Sequence, residues 1–260
     1  MAFVKSNGVT LHVQRLAEPG ATPPRPVVVF LHGLVDSLAS YYFTLASPVA
    51  DLGFDVITYD LRGHGRSERP GEGYLIRDAV DDLMGMLDGL GVDGPVHLVG
   101  YSFGGTVAFS ATHRHPDRVL SLSVIESEPP TAAWARRTAD GVAEVRASIA
   151  DQEYVDAQDD LVRKMAAAAF RLDDTTTAYR DLLSPDGLLD HEDVGSVRVP
   201  LLLIIGGESA LNSHAEEFLP ALPHCRVRVI PGRDHMLLAR APDEVGRILL
   251  PWLAEQRDRR

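Results

Sequence analysis

The sequence predicts an α/β fold on a mostly parallel sheet, and three observations carry that reading. Short apolar runs alternate along the chain with longer segments of helical period, the pattern of strands joined by crossover helices. Runs such as 27–31 and 201–205 are apolar without interruption, as in strands covered on both faces. The 260 residues are 45% hydrophobic and 24% charged, an ordinary globular balance, with enough length for a core that needs no disulfide or metal.

The elements follow in order. Residues 9–16 alternate as an early strand, and 17–26, with four prolines and a glycine, form a loop. Residues 27–31 are a buried strand ending at His32-Gly33. Residues 41–52 suit a helix and 54–59 the next strand. Ile76, Val80, Leu83, Met84, Leu87 and Leu90 fall on one helical face. A short buried strand at 95–100 precedes a helix at 103–115 that Pro116 stops. Strands at 119–125, 201–205 and 227–230 and a closing helix at 242–256 complete the pattern.

Residues 126–200 break the alternation. They hold no convincing strand and read as short helices at 132–149, 154–171 and 175–183. From 127 to 200 there are 8 basic and 15 acidic residues, so this excursion carries much of the chain's negative charge. Long excursions in compact domains tend to be functional, and a lid is the expected role. The plainer alternative is a structural subdomain with a solvated acidic face. The expected division is a core of 1–126 and 197–260 with a helical cap at 127–196.

Composition narrows the partners. A formal net charge of −12, with no clustered basic patch, argues against nucleic acid. No apolar run is long enough for a signal peptide or a transmembrane helix. Together with the single cysteine, Cys225, this points to the cytoplasm, to no internal disulfide and to no membrane association. No metal or cofactor is expected. His113 and His115 stand two apart on a helix, about 200° around its axis, and so cannot converge on one ion. They suit a helix end.

Gly100-Tyr101-Ser102-Phe103-Gly104-Gly105 matches G-x-S-x-G between a strand and a helix. Such a turn holds one side chain in strained geometry above the sheet, and a Cβ at Gly100 or Gly104 would meet neighbouring backbone. Alone the pattern describes many small-residue turns. In this strand–turn–helix context it marks Ser102 as a nucleophile.

With that motif the chain resembles the α/β-hydrolase family over nearly its whole length. His32-Gly33-Leu34 resembles the family's oxyanion loop. Asp60-Leu61-Arg62-Gly63-His64-Gly65-Arg66-Ser67 resembles its D-x-R-G-H-G-x-S segment. Gly232-Arg233-Asp234-His235 resembles the loop bearing its catalytic histidine. The resemblance implies a doubly flanked sheet with a cap after strand 6. It also implies an oxyanion hole from the backbone N–H groups of Leu34 and Phe103, each donor of this kind being worth about 3 kcal/mol. His235, on a loop after the last buried strand, lies on the Ser102 side of the sheet and is the expected base. His32 and His64 are expected to shape loops, His97 to lie within a strand and His191 to lie in the cap, with contact to substrate the lesser reading.

The acid departs from the common pattern. The family usually places an aspartate shortly after the strand at 201–205, where this chain has Ser209. Glu208 is one residue away. Some members, including certain haloalkane dehalogenases and the zearalenone lactone hydrolases, carry a glutamate at the end of the sixth strand. Glu126 ends such a strand here, and a carboxylate there needs a partner. Glu126 is therefore favoured over Glu208 and Glu128, against the plainer reading of a cap-hinge residue paired with an arginine.

A serine at the elbow sets this chain apart from dehalogenases and epoxide hydrolases, which place an aspartate there. The expected reaction is attack of Ser102 on a carbonyl carbon, through an acyl-enzyme released by water. Esters, lactones, thioesters and activated amides all fit that attack; the acidic cap disfavours polyanions such as acyl-coenzyme A, and the expected substrate is a small, neutral, fairly hydrophobic carboxylic ester or lactone. Trp134, Tyr154, Met165 and Phe170 either line its pocket or form the cap's own core. A carbon–carbon bond hydrolase, an acyltransferase and a slow-turnover ligand sensor would use the same residues.

Overall fold

The computed structural model describes residues 2–16, 25–151 and 155–259. Among the described residues, eight strands form one sheet in the order β1-β2-β4-β3-β5-β6-β7-β8. They are β1 (Ala2–Ser6), β2 (Val9–Leu16), β3 (Val27–Leu31), β4 (Asp55–Tyr59), β5 (Val96–Tyr101), β6 (Val119–Ile125), β7 (Leu201–Gly206) and β8 (Cys225–Ile230). β1 pairs with β2 and β2 with β4 antiparallel; the other neighbours are parallel.

Period-2 burial builds two core layers from the same strands. Val29, Leu31, Leu201, Leu203 and Ile205 point to one side, and Val28, Phe30, Leu202 and Ile204 to the other. The helices are α1 (Ala39–Tyr42), α2 (Ala46–Asp51), α3 (Ile76–Gly89), α4 (Phe103–Arg114), α5 (Ala132–Ala150), α6 (Asp160–Thr175), α7 (Ala178–Leu182), α8 (His191–Ser196), α9 (Leu211–Phe218), α10 (Leu237–Arg240) and α11 (Pro242–Gln256). α3 and α4 pack on the first face, α2 and α11 on the second. The chain passes from β3 to β4 on one side, then crosses to β5 on the other. This reversal opens a crevice at the carboxyl ends of the central strands, where α/β sheets bind ligands.

Three local expectations needed revision. The helix expected over 41–52 is two short helices, α1 and α2, because Pro48 inside one continuous helix would clash with the preceding turn. In α2 Pro48 falls in the first turn, where no intrahelical N–H is required. The helix expected over 154–171 is interrupted: residues 155–156 are helical, 157–159 are not, and α6 begins at Asp160, where the Asp159 carboxylate caps it by accepting from the Val162 N–H at 2.9 Å. Tyr154 lies outside the described residues. β1, a short strand at the sheet edge, was not foreseen. Between β6 and β7 the described residues hold α5 to α8 and no strand.

Candidate active site

Ser102 follows β5 and Glu126 follows β6, adjacent parallel strands in register at Tyr101 and Ile125. Each ladder runs one bond past its strand: the Ser102 N–H donates to Ile125 O at 3.0 Å and the Glu126 N–H to Ile204 O at 2.9 Å. Both residues then adopt positive φ, +49° and +51°. For side chains with a Cβ this conformation costs on the order of 1–3 kcal/mol, and it persists only where the surroundings enforce it. At the serine the enforcement is visible. A Cβ on Gly104 would lie 2.2 Å from Leu31 O, and one on Gly100 would lie 2.4 Å from Gly105 Cα. Only glycines let the strand, the turn and α4 approach this closely.

His235 joins the two. Its Nε2 lies 3.1 Å from Ser102 Oγ and its Nδ1 3.1 Å from Glu126 Oε2. Donation by Nδ1–H to the carboxylate leaves Nε2 free to accept from the serine hydroxyl. The histidine side chain is about half exposed (53%) and the glutamate side chain fully buried (0%), so the imidazole faces the cleft while the acid is shielded from water. Tyr101 steadies the histidine: its hydroxyl donates to His235 O at 2.7 Å, and the two rings stack with centroids 5.7 Å apart. Burial pushes the Tyr101 phenol pKa up, which keeps it a donor.

The buried Glu126 carboxylate is fully engaged. The Gly206 N–H donates to Oε1, and the Ser209 hydroxyl donates to Oε2 at 2.7 Å. Asn212 fixes that loop by donating to Gly206 O at 2.6 Å and Ser209 O at 3.1 Å. Ser209, at the position where an aspartate was the usual expectation, thus binds the glutamate that touches the histidine. Tyr101, Ser209 and Asn212 were not foreseen in these roles. The x of G-x-S-x-G and the missing aspartate were the available signals.

The other two carboxylates stand apart from the imidazole. Glu128 is paired with Arg137, and Glu208 lines the cleft without touching His235. Leu34 and Phe103 flank the serine on the cleft wall, and among the described residues neither backbone N–H has an acceptor. His32 and His64 stitch their two loops together. His32 Nε2 accepts from the Leu61 N–H at 2.9 Å, and His64 Nε2 accepts from the Val35 N–H at 3.2 Å. Burial drives the His64 pKa down to about 3, so it is neutral and available as an acceptor. His97 lies in β5 against Ser121, while His191 is exposed at the start of α8, off the cleft wall.

The cleft has a volume of about 710 Å³, large enough for a small molecule. Trp134, Val142, Tyr179 and Leu182 form one apolar cluster together with Ile76, packed by Leu34 and Phe103, and all but Ile76 line the cleft. Trp134 is therefore both cluster core and wall. Met165 and Phe170 do not reach the cleft, and Phe170 is exposed. No helix among the described residues is long and apolar enough to cross a membrane.

Residues 26–242 match the family model described as alpha/beta hydrolase fold. Epoxide hydrolase A of Mycobacterium tuberculosis is 32% identical over 203 residues, covering 73% of this chain and 61% of the relative. The chain thus spans less than two thirds of that relative's length. The 2-(acetamidomethylene)succinate hydrolase of Mesorhizobium japonicum is 29% identical over 84% of each chain. Among solved structures, Est816, described as an N-acyl homoserine lactone degrading enzyme, superposes with a TM-score of 0.73 at 24% identity, covering 96% of this chain and all of its own. At that identity the likeness is one of fold.

Proposed function

The chain belongs to the alpha/beta hydrolase fold family, and from that premise we propose that this hydrolase cleaves a carboxylic ester or lactone through an acyl-enzyme on Ser102. The observation that carries the proposal is the continuous relay from Ser102 Oγ through His235 to Glu126, with both bonds at 3.1 Å. Ser102 Oγ attacks the carbonyl carbon as its proton passes to His235 Nε2. Glu126 holds the imidazole and balances the imidazolium. The Leu34 and Phe103 N–H groups receive the developing oxyanion. The imidazolium then protonates the leaving alkoxide, and water, deprotonated by His235, releases the acid. The relative named as an epoxide hydrolase does not redirect this reading, because ring opening through an alkyl ester uses an aspartate at the elbow and this chain has a serine. The apolar cluster around Trp134 supports a small, fairly hydrophobic substrate, with the helices of 127–196 acting as its lid. No cofactor enters the reaction.

The test is a fluorophosphonate probe followed by a panel of p-nitrophenyl esters and lactones. The adduct is expected on Ser102, and Ser102→Ala is expected to lower turnover by at least ~10³-fold in a folded protein. An adduct elsewhere, or near-normal activity in the alanine variant, overturns the proposal.

A further inference from the structure

The cleft wall contains one Lys or Arg among its described residues, Arg137 of α5. A guanidinium in a cleft beside a nucleophile is well suited to hold a substrate carboxylate, because its planar fork matches two oxygens. Here the fork is already occupied. Nε donates to Glu128 Oε1 at 3.3 Å, Nη2 donates to Glu128 Oε2, and Nη1 donates to both oxygens of Glu217 at 3.0 Å. Glu128, just beyond β6, is only 8% exposed. A carboxylate so deprived of water holds its counter-ion firmly. His214 of α9 adds Nδ1 at 3.7 Å from Glu128 Oε1. Two carboxylates around one guanidinium leave the group net negative. The same wall carries Glu144 and Glu208, neither of which has a side-chain partner among the described residues, and Asp234, balanced by Arg240 at 3.6 Å.

We propose that the cleft selects esters or lactones that bear no carboxylate, and that Glu128 sets this selectivity by occupying Arg137. The proposal rests on the ester reading above and adds the charge class of the substrate. Glu128 acts through the arginine: with the glutamate neutralised, one end of the fork turns toward the cleft and the wall loses one negative charge. At separations of several ångströms inside a partly dry cleft, one unit charge changes the binding of a charged group by roughly tenfold or more. Glu217 is half exposed and off the cleft wall, so its influence is smaller and passes wholly through Arg137.

The experiment compares kcat/KM for p-nitrophenyl pentanoate and mono-p-nitrophenyl glutarate, acyl chains of equal length in which a carboxylate replaces the terminal methyl. The readout is the ratio of the two, measured in the wild type, Glu128→Gln and Glu217→Gln. Intrinsic ester reactivity cancels when ratios are compared between variants. The wild type is expected to favour pentanoate by at least about tenfold. Glu128→Gln should shift the ratio toward glutarate by about tenfold, and Glu217→Gln by about threefold. The surface variant keeps the comparison decisive if the buried one folds poorly. A wild-type preference for glutarate, or a ratio unmoved in the folded variants, overturns the proposal while leaving the ester reading intact. No turnover of either ester, with no phosphonate adduct on Ser102, overturns both.

Discussion

Ser209 carries the most information of any single residue in the site. Its hydroxyl and the His235 ring nitrogen share one oxygen of Glu126, at 2.7 and 3.1 Å. A hydroxyl cannot balance an imidazolium, but it can fix the carboxylate proposed to do so. Glu126→Gln is expected to lower kcat by ~10² to 10⁴-fold with little change in KM, because the amide disturbs both the charge and the imidazole tautomer. Glu208→Gln, off the histidine, should lower it by less than about tenfold. Ser209→Ala removes one hydrogen bond to a charged group and should lower kcat by roughly tenfold. Ser209→Asp should be worse than alanine, since it sets a second carboxylate against Glu126 while His235 still faces only one of them. If Glu126→Gln kept near-normal activity while Glu208→Gln were the inactive variant, the acid would not be Glu126. Ser102 and His235 could be singled out from sequence because local motifs place each of them. For the acid, local motifs leave three glutamates open and only the resemblance to members with a glutamate after strand 6 favours Glu126; the adjacency of β5, β6 and β7 brings that glutamate to the imidazole.

At the scale of elements, the strand ends and the helices of 127–196 divide the work. The strand ends hold Ser102 and Glu126 rigidly through ladder bonds and positive φ. The helical excursion supplies Trp134, Val142, Tyr179 and Leu182 to the cleft. Trp134→Ala is therefore expected to lower kcat/KM for a long acyl ester at least tenfold more than for p-nitrophenyl acetate, whose acyl group reaches Ser102 without that wall. Equal losses on both esters would count against a specificity role. β3 and β7 were legible because a strand covered on both faces is apolar at every position. β1 was not, since it is five residues long and its polarity does not follow its burial: Phe3 is half exposed while Ser6 is buried. The short helix α8 buries only Val194 and carries too little apolar periodicity to separate it from loop, whereas α9 buries Leu211, Ala215 and Phe218 at helical spacing and was missed. The clamp from Arg137 to Glu128 and Glu217 joins residues 9 and 80 positions apart, which no local pattern encodes.

For the whole molecule, two buried neutral histidines set an acid limit on stability. Burial lowers the pKa of His64 to about 3 and that of His97 to about 4, from an ordinary value of 6.5. His97 is fully enclosed between β-strands and Phe54, with Nδ1 at 2.8 Å from Ser121 Oγ and Nε2 without a partner among the described residues. The sign follows from linkage. Between pH 6.5 and the folded value, the unfolded chain binds a proton that the folded chain refuses, so stability rises with pH across that window and falls as the solution is acidified. Each histidine then contributes a slope approaching about 1.4 kcal/mol per pH unit within its window. A second effect opposes it. The net charge of −12 shrinks toward the pI near 5.2, relieving self-repulsion on the way down. Surface repulsion is screened by salt and the buried histidines are not, so in 0.15 M salt the histidines should prevail below about pH 6. His97→Gln isolates one of them, because the amide can still bond Ser121 and does not titrate. Urea unfolding at pH 7, 5.5 and 4.5 should show the wild type losing stability faster than the variant, the gap widening toward about 2–3 kcal/mol by pH 4.5. Parallel curves would mean that His97 accepts its proton in the folded state, and that the packing around Phe54 and Ser121 opens to water at little expense.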